Sequence, residues 1–290
     1  MPTLIDLRRR IQSVRNSQQI TQAMKTVSTA KFRKAQRTVM EGRPFWHVFP
    51  ELMDRLAYWA AAGAHPLLAR REERTIEVLV ITSDKGLAGA YNSNLLAAAD
   101  EFLAAKAQAG VAVRLVLIGK KAVGHYRRTA LRVDRSYADH TDRLTREDLR
   151  GLAEELMRDF TFQRTDAVYI VTNEFKSILA PKIMTHRILP IAPAPGTEES
   201  AAWLPDWEPQ AARLAAFVLP LFVETQIHHA FHESQAAEQA ARMMAMDNAT
   251  KNAAELIDDL VLQLNKIRQA GITKELLEIM TAVEALKTKG

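Results

Sequence analysis

The two ends of this chain are long stretches almost free of helix breakers. Residues 4–39 hold neither Pro nor Gly, and residues 222–286 hold no Pro and one Gly, Gly271. As one unbroken helix the second stretch would be about 95 Å long at 1.5 Å per residue. That is several times the ordinary helix of about 10–14 residues. A compact domain cannot cover such a helix within itself. The other terminal helix is the first cover available. The spacing therefore predicts an antiparallel coiled coil of the N- and C-terminal helices, with a globular segment inserted between them.

The apolar positions say where the two helices would meet. Leu4, Leu7, Ile11 and Val14 recur in the 3-4-3 steps of a coiled-coil seam. The next apolar residues, Ile20, Met24 and Val27, drift off that track, and Gln18, Thr21 and Ser28 lie near it, so the middle of the seam is thin and polar. Gly42, Pro44 and Pro50 are expected to interrupt or kink the first helix before a further helical stretch over 51–62. On the C-terminal helix Leu256, Leu260, Leu264 and Ile267 form one stripe, with Ile257 and Val261 beside it. The expected seam is thus Leu7, Ile11 and Val14 against Leu256, Leu260 and Leu264. Ala236, Ala237, Ala240, Ala241, Ala245, Ala249 and Ala253 keep the upstream surface slim. Beyond Gly271, Ile272, Leu276, Leu277, Ile279, Met280 and Val283 cover more than one face. A single partner helix cannot bury them all.

The middle of the chain changes period. Residues 75–82 are β-branched and mostly apolar, as a strand covered on both faces should be. Helix is expected over 92–109, strand over 111–118, a short helix over 119–128, and a helix over 145–162 with Thr145 as N-cap and Asp148 at N3. A strand over 166–172 follows, and Pro181 and Pro190 make 178–191 an edge or irregular strand. Alternating strands and helices argue a parallel sheet with right-handed crossovers. The expected division is a discontinuous shaft, 1–62 and 209–290, and an α/β domain, 75–192. Loops at 63–74 and 193–208 join them.

There are no cysteines, which excludes disulfides, thiolate metal sites and Cys nucleophiles. The net charge of +5 is uneven. Arg8, Arg9, Arg10, Arg15, Lys25, Lys31, Arg33, Lys34 and Arg37 face a single acid, Asp6, in the first forty residues. Such a helix suits a polyanionic partner: nucleic acid, an anionic membrane or an acidic protein surface. Base-reading side chains and interleaved aromatics are missing, which favours acidic protein. The apolar run 214–223 is about half a membrane span and contains Pro220. The N-terminus has no signal-peptide core.

Candidate chemistry is sparse. Asp84-Lys85-Gly86-Leu87-Ala88-Gly89 follows a strand and precedes a helix, where an α/β fold binds phosphate. Its glycines fit neither the dinucleotide nor the Walker pattern, so it reads equally as a tight turn. His228 and His232 have the i,i+4 spacing of a metal pair, with His229, Glu224 and Glu233 nearby, but no third ligand is evident. No Ser/His/Asp or paired-carboxylate set stands out. No cofactor and no metal are expected.

Four strings point to a family. IQSVRNSQQITQAMKTVSTAKFRK from Ile11, ITSDKGLAGAYN from Ile81, ESQAAEQAARMMAMDNATKN from Glu233 and NKIRQAGITKEL from Asn265 resemble, in the family's order, the gamma subunit of F-type ATP synthases. The resemblance implies a central rotor shaft inside a ring of alternating alpha and beta subunits, one copy per complex. Its α/β knob would meet the epsilon subunit and the c-subunit ring. Rotation would couple proton or sodium flow to ATP synthesis or hydrolysis at the beta subunits, and this chain would itself catalyse nothing. The residues matching the family's contacts with the ring are Met24, Lys25, Arg242, Arg268, Gln269 and Thr273, with Lys85 in the knob loop. The expected location is the cytoplasmic face of a bacterial plasma membrane, held there only through the c ring. Ala88 stands where the family often has Cys, and the chloroplast dithiol insert is missing. Pro220 and the histidine cluster are not part of the family pattern. Two other readings remain open: a basic coiled-coil nucleic-acid-binding protein, and a nucleotide-binding α/β enzyme using the Asp84–Gly89 loop.

Overall fold

The structure is a computed structural model describing residues 3–61, 65–139, 141–175, 177, 182–191 and 211–287. In chain order the elements are α1 (Leu4–Ala61), β1 (Thr75–Ile81), α2 (Tyr91–Gln108), β2 (Ala112–Ile118), α3 (Lys120–Tyr126), β3 (Arg132–Tyr137), α4 (Arg146–Thr161), β4 (Ala167–Glu174), β5 (Lys182–Leu189) and α5 (Ala211–Lys287). Contacts divide the chain into two compact units, and α1 and α5 contribute to both. One is Met1–Val27 with Met243–Gly290; the other is Ser28–Arg242. The loop expected at 193–208 and the start expected for the last strand, 178–181, lie outside the described residues.

In the larger unit a five-stranded sheet has the order β3-β2-β1-β4-β5. β1 runs parallel to β2 and β4, and β2 parallel to β3. β5 departs from the all-parallel expectation and pairs antiparallel with β4. The link over 175–181 is too short for a parallel crossover, which takes a dozen residues or more, so the chain can only turn back. One face of the sheet (Leu79, Ile81, Val116, Ile118, Val168, Ile170) packs on α4 and on the start of α5 through Leu219, Val223, Ile227 and Phe231. The other face (Ile76, Val78, Val80, Leu115, Leu117, Val171) packs on α2 and α3. Burial on both sides explains why β1 is apolar almost throughout. α4 opens with a complete capping box, Thr145 and Asp148 each accepting from the other's backbone N–H.

α1 does not end at Gly42, Pro44 or Pro50. Packing overrides the breakers. Phe32 sets its ring edge against Phe175 at 5.3 Å, Arg43 donates to the Phe175 carbonyl at 2.9 Å, and Trp46 lies 4.3 Å from the His229 ring. Gly42 is needed there, because a Cβ would sit 2.4 Å from the Trp46 indole. α5 likewise begins at Ala211 and carries Pro220 inside it. By length and composition α5 could pass for a membrane span, yet Ala215, Leu219, Val223 and Ile227 near its start are buried against the sheet.

In the smaller unit α1 and α5 pair antiparallel. Lys25 meets Asp247 at 2.6 Å, and Thr250 donates to Thr21 at 2.8 Å. Leu7 and Ile11 are buried with Ile257 and Leu260, and Val14, Val261, Leu264 and Ile267 pack around them. The seam expected through Leu256 therefore needs one correction. Leu256 is 40 % exposed, and Ile257 takes its place. The steps 257, 260, 264, 267 keep the 3-4-3 spacing of a supercoiled seam, whereas a residue four before Leu260 drifts out of it.

Candidate functional site

In a sheet of this order a ligand site would be sought beyond the carboxyl ends of β1 and β4, where the strand order reverses. Here α5 fills that crevice. Thr172 donates to the Ala230 carbonyl at 3.2 Å, and the Phe175 amide donates to Glu233 Oε2 at 2.7 Å. Ser234 Oγ reaches the Ile81 carbonyl at 3.4 Å and lies 2.6 Å from the Tyr91 hydroxyl. Burial pushes the Tyr91 phenol well above its ordinary pKa, so it stays neutral. These groups recur along one face of α5 and read as a seat for the helix.

The Asp84–Gly89 loop is fastened to the same face. Asp84 Oδ1 accepts from the amides of Lys120 at 2.9 Å and Asp139 at 3.1 Å, and Oδ2 accepts from the amide of Thr141 at 2.9 Å and its hydroxyl at 2.6 Å. Burial alone would raise its pKa; these four donors outweigh burial and lower it. Arg242 Nε donates to the Gly86 carbonyl at 3.2 Å, Nη2 to the Lys85 carbonyl at 3.1 Å and Nη1 to Glu238 at 2.6 Å. The loop's own carbonyls thus hold an arginine. Leu87 stands at φ 62 and is 61 % exposed, a left-handed backbone that costs about 1 kcal/mol or more outside glycine. Lys85 of the loop lines a polar cleft of about 420 Å³ together with the cations Lys31, Lys120, Arg143 and Arg242 and the acids Asp84, Asp139 and Glu238.

The histidines form a packed cluster. His228 and His232 stack at 6.1 Å, and His229 lies 3.4 Å from Glu233. Among the described residues no group of three or more His, Cys, Asp or Glu is placed to hold a metal. Burial, reinforced by His229, pushes His186 on β5 down to about 4. Burial also lowers His228, against Glu224 and with Arg146, and His232, with His228 and against Gln235. The unfolded chain then binds more protons than the folded one as pH falls below 6.5. Stability is full above that value and is lost as pH falls toward about 4. His186 alone should contribute roughly 3 kcal/mol over the window. Comparing acid melting of the chain with that of His186→Gln checks this: the variant should lose less stability between the two pH limits.

The sequence pattern of the family described as ATP synthase matches residues 3–286. The ATP synthase gamma chain of an Anaeromyxobacter species is 41 % identical over 290 residues, 99 % of this chain and 100 % of that one. The chain belongs to the ATP synthase gamma chain family. The gamma chain of Solibacter usitatus is 43 % identical over 289 residues, 98 % of this chain and 99 % of that one. The fold agrees with this membership. A chain from the Euglena gracilis mitochondrial ATP synthase structure of OSCP, F1 and c-ring superposes with a TM-score of 0.66 at 18 % identity, over 98 % of this chain and 94 % of that one. A chain of the central stalk and c-ring of the Tetrahymena thermophila enzyme gives 0.60 at 22 %, over 79 % and 99 %.

The expected contact residues of this gamma-family chain fall into separate places. Arg268, Gln269 and Thr273 are exposed on α5, with Thr273 Oγ1 donating to the Gln269 carbonyl at 3.0 Å. Met24 and Lys25 are half-buried on α1. Hydrogen bonds from Lys25 and Lys251 hold Asp247 down to about 2. Lys85 is exposed at the loop. Arg242 is the exception: at 6 % exposure it faces inward and positions the Lys85 loop. The spacing of Ser234, Glu238 and Arg242 at i, i+4 and i+8 could have placed them on one inward face.

Proposed function

We propose that the chain is the central rotor shaft of an F-type ATP synthase. Rotation of the shaft couples proton or sodium flow to ATP synthesis or hydrolysis at the beta subunits. The seating of α5 in the ligand crevice carries this reading. The α/β segment is a mount for the helix, so the chain catalyses nothing and holds no cofactor. In this reading residues 1–62 and 209–290 form the shaft, 75–192 form the knob, and 63–74 and 193–208 connect them. One copy serves each complex. The ring of alpha and beta subunits faces Met24, Lys25, Lys85, Arg268, Gln269 and Thr273. Epsilon and the c-subunit ring take the knob. The chain lies at the cytoplasmic face of the bacterial plasma membrane and touches it only through the c ring.

Exposed Arg8, Arg9, Arg10 and Arg15, with no ion pair among the described residues, support acidic protein loops as neighbours. Such attraction changes little with the angle of the shaft and is screened by salt. The test is purification of the tagged chain from native membranes, with ATP titration of the isolated chain beside it. Alpha, beta and epsilon should accompany it, one copy of this chain to each set of catalytic beta subunits, and the free chain should bind no ATP. Micromolar ATP binding that disappears in Gly86→Val would overturn the non-catalytic reading. Salt-sensitive DNA binding without the ATP synthase subunits would favour the nucleic-acid reading.

A further inference from the structure

Glu77 sits in β1 with no exposure at all, in a cluster of ionised side chains that the shaft reading does not use. From the neighbouring strands come Arg114 on β2 and Asp134 and Arg135 on β3; from α4 come Glu155 and Asp159. Arg132 and Arg164 close the cluster from outside, on Asp134 and Asp159. A bulge between Leu115 and Val116 of the β2–β3 ladder leaves Asp134 without a partner in register and sets Arg135 toward Glu77.

The charges inside do not balance. Side-chain exposure is 0 % for Glu77, 4 % for Asp159, 10 % for Asp134, 16 % for Arg114 and 23 % for Arg135, against 43 % for Glu155, 62 % for Arg164 and 72 % for Arg132. Three carboxylates therefore share two guanidiniums in the interior, and a buried charge without a counter-charge is costly. One proton restores neutrality. Asp134 has two arginine partners, Arg114 and Arg132, and Asp159 has three, Arg114, Arg135 and Arg164. Among the described residues Glu77 has Arg135 alone, at 2.9 Å on Oε1, and its Oε2 is buried without a hydrogen-bond partner. We propose that Glu77 is a proton-binding site inside the sheet, and that the proton it holds sets how firmly the edge strand β3 is tied down.

Burial pushes the Glu77 carboxyl up to about 7, against the pull of Arg135 and Arg114 and with the push of Asp159 and Asp134. Opening β3 admits water and returns the carboxyl toward its ordinary 4.5. The closed strand therefore binds the proton more tightly than the open one. Its hold is full below 4.5 and is lost as pH rises through about 7.

Two measurements on the full chain test this. Carbon NMR of the Glu77 carboxyl in the unaltered protein should titrate near 7 rather than 4.5. Hydrogen exchange at the β3 amides, corrected for intrinsic rates, should lose protection on the order of 100-fold across that range, and Glu77→Gln should abolish the pH dependence. A Glu77 midpoint below 5, or an unchanged pH dependence in the variant, would overturn the proposal. The carboxyl titration needs no variant, so it decides the matter even if Glu77→Gln folds poorly.

Discussion

Leu260→Asp should separate α1 from α5 in the smaller unit while the sheet of the larger unit keeps its amide protection. Leu260 is 3 % exposed among Leu7, Ile11 and Ile257. A carboxylate there would have no cation beside it in the apolar cluster and would lose the packing of the leucine as well. A loss of about 3–5 kcal/mol is the scale for an unpaired buried charge. The cluster is small, and upstream of it the pairing rests on polar contacts such as Thr21 with Thr250. Little remains to hold the two helices once the cluster is broken. Hydrogen exchange along α1 and α5 should speed up from Leu4 to Val27 and from Met243 onward, with β1 and β2 unchanged. If the β1 and β2 amides lose protection in step with these helices, the two units unfold as one and the division is wrong.

Legibility in the sequence followed from how local each cause was. The terminal helices, β1, β2, β4 and the α4 cap were readable because their causes lie in composition, periodicity or adjacent residues. β3 was not. Arg132-Val-Asp-Arg-Ser-Tyr137 has no apolar run, since it is an edge strand whose side chains serve the charge cluster around Glu77. Pro44 and Pro50 mislead in the same way as each other: a proline lowers helix propensity locally, and contacts made far along the chain overrule it. Arg242 is expected at the ring only because it matches the family's contact residues; its inward role depends on carbonyls 156 and 157 positions away. Glu77 was hidden in an otherwise apolar strand, and only the count of charges around it in space gives it meaning.

The two pH-linked sites pull in opposite directions and lie on different parts of the sheet. Acidification removes the contribution of His186 between 6.5 and about 4, and restores that of Glu77 between about 7 and 4.5. The overlap makes a single melting curve uninformative. Glu77→Gln removes one slope and His186→Gln the other, so the double variant should show the flattest acid profile of the set.

Removing every residue after Gly271 should leave the melting temperature of the free chain nearly unchanged, yet sharply reduce ATPase coupling in the reconstituted complex. Ile272, Leu276, Leu277, Ile279 and Met280 are 52–65 % exposed, and no core cluster among the described residues includes them. The Val283 side chain lies outside the described residues. At 100° per residue the five spread over about 160° of the helix surface, wider than one partner helix covers. An apolar surface of that width is not kept for water. In the rotor reading it is the insert of the shaft into an apolar sleeve made by the alpha and beta subunits, which holds the axis centred while leaving its angle free. Truncation would then shorten the grip on the ring, lower the yield of assembled complex and let ATP hydrolysis run with less torque delivered to the membrane sector. Thermal melting of the truncated free chain and coupling in the reconstituted complex are the two readings. A large drop in melting temperature together with normal assembly would mean that the tip packs on its own chain, and the sleeve would have to be abandoned.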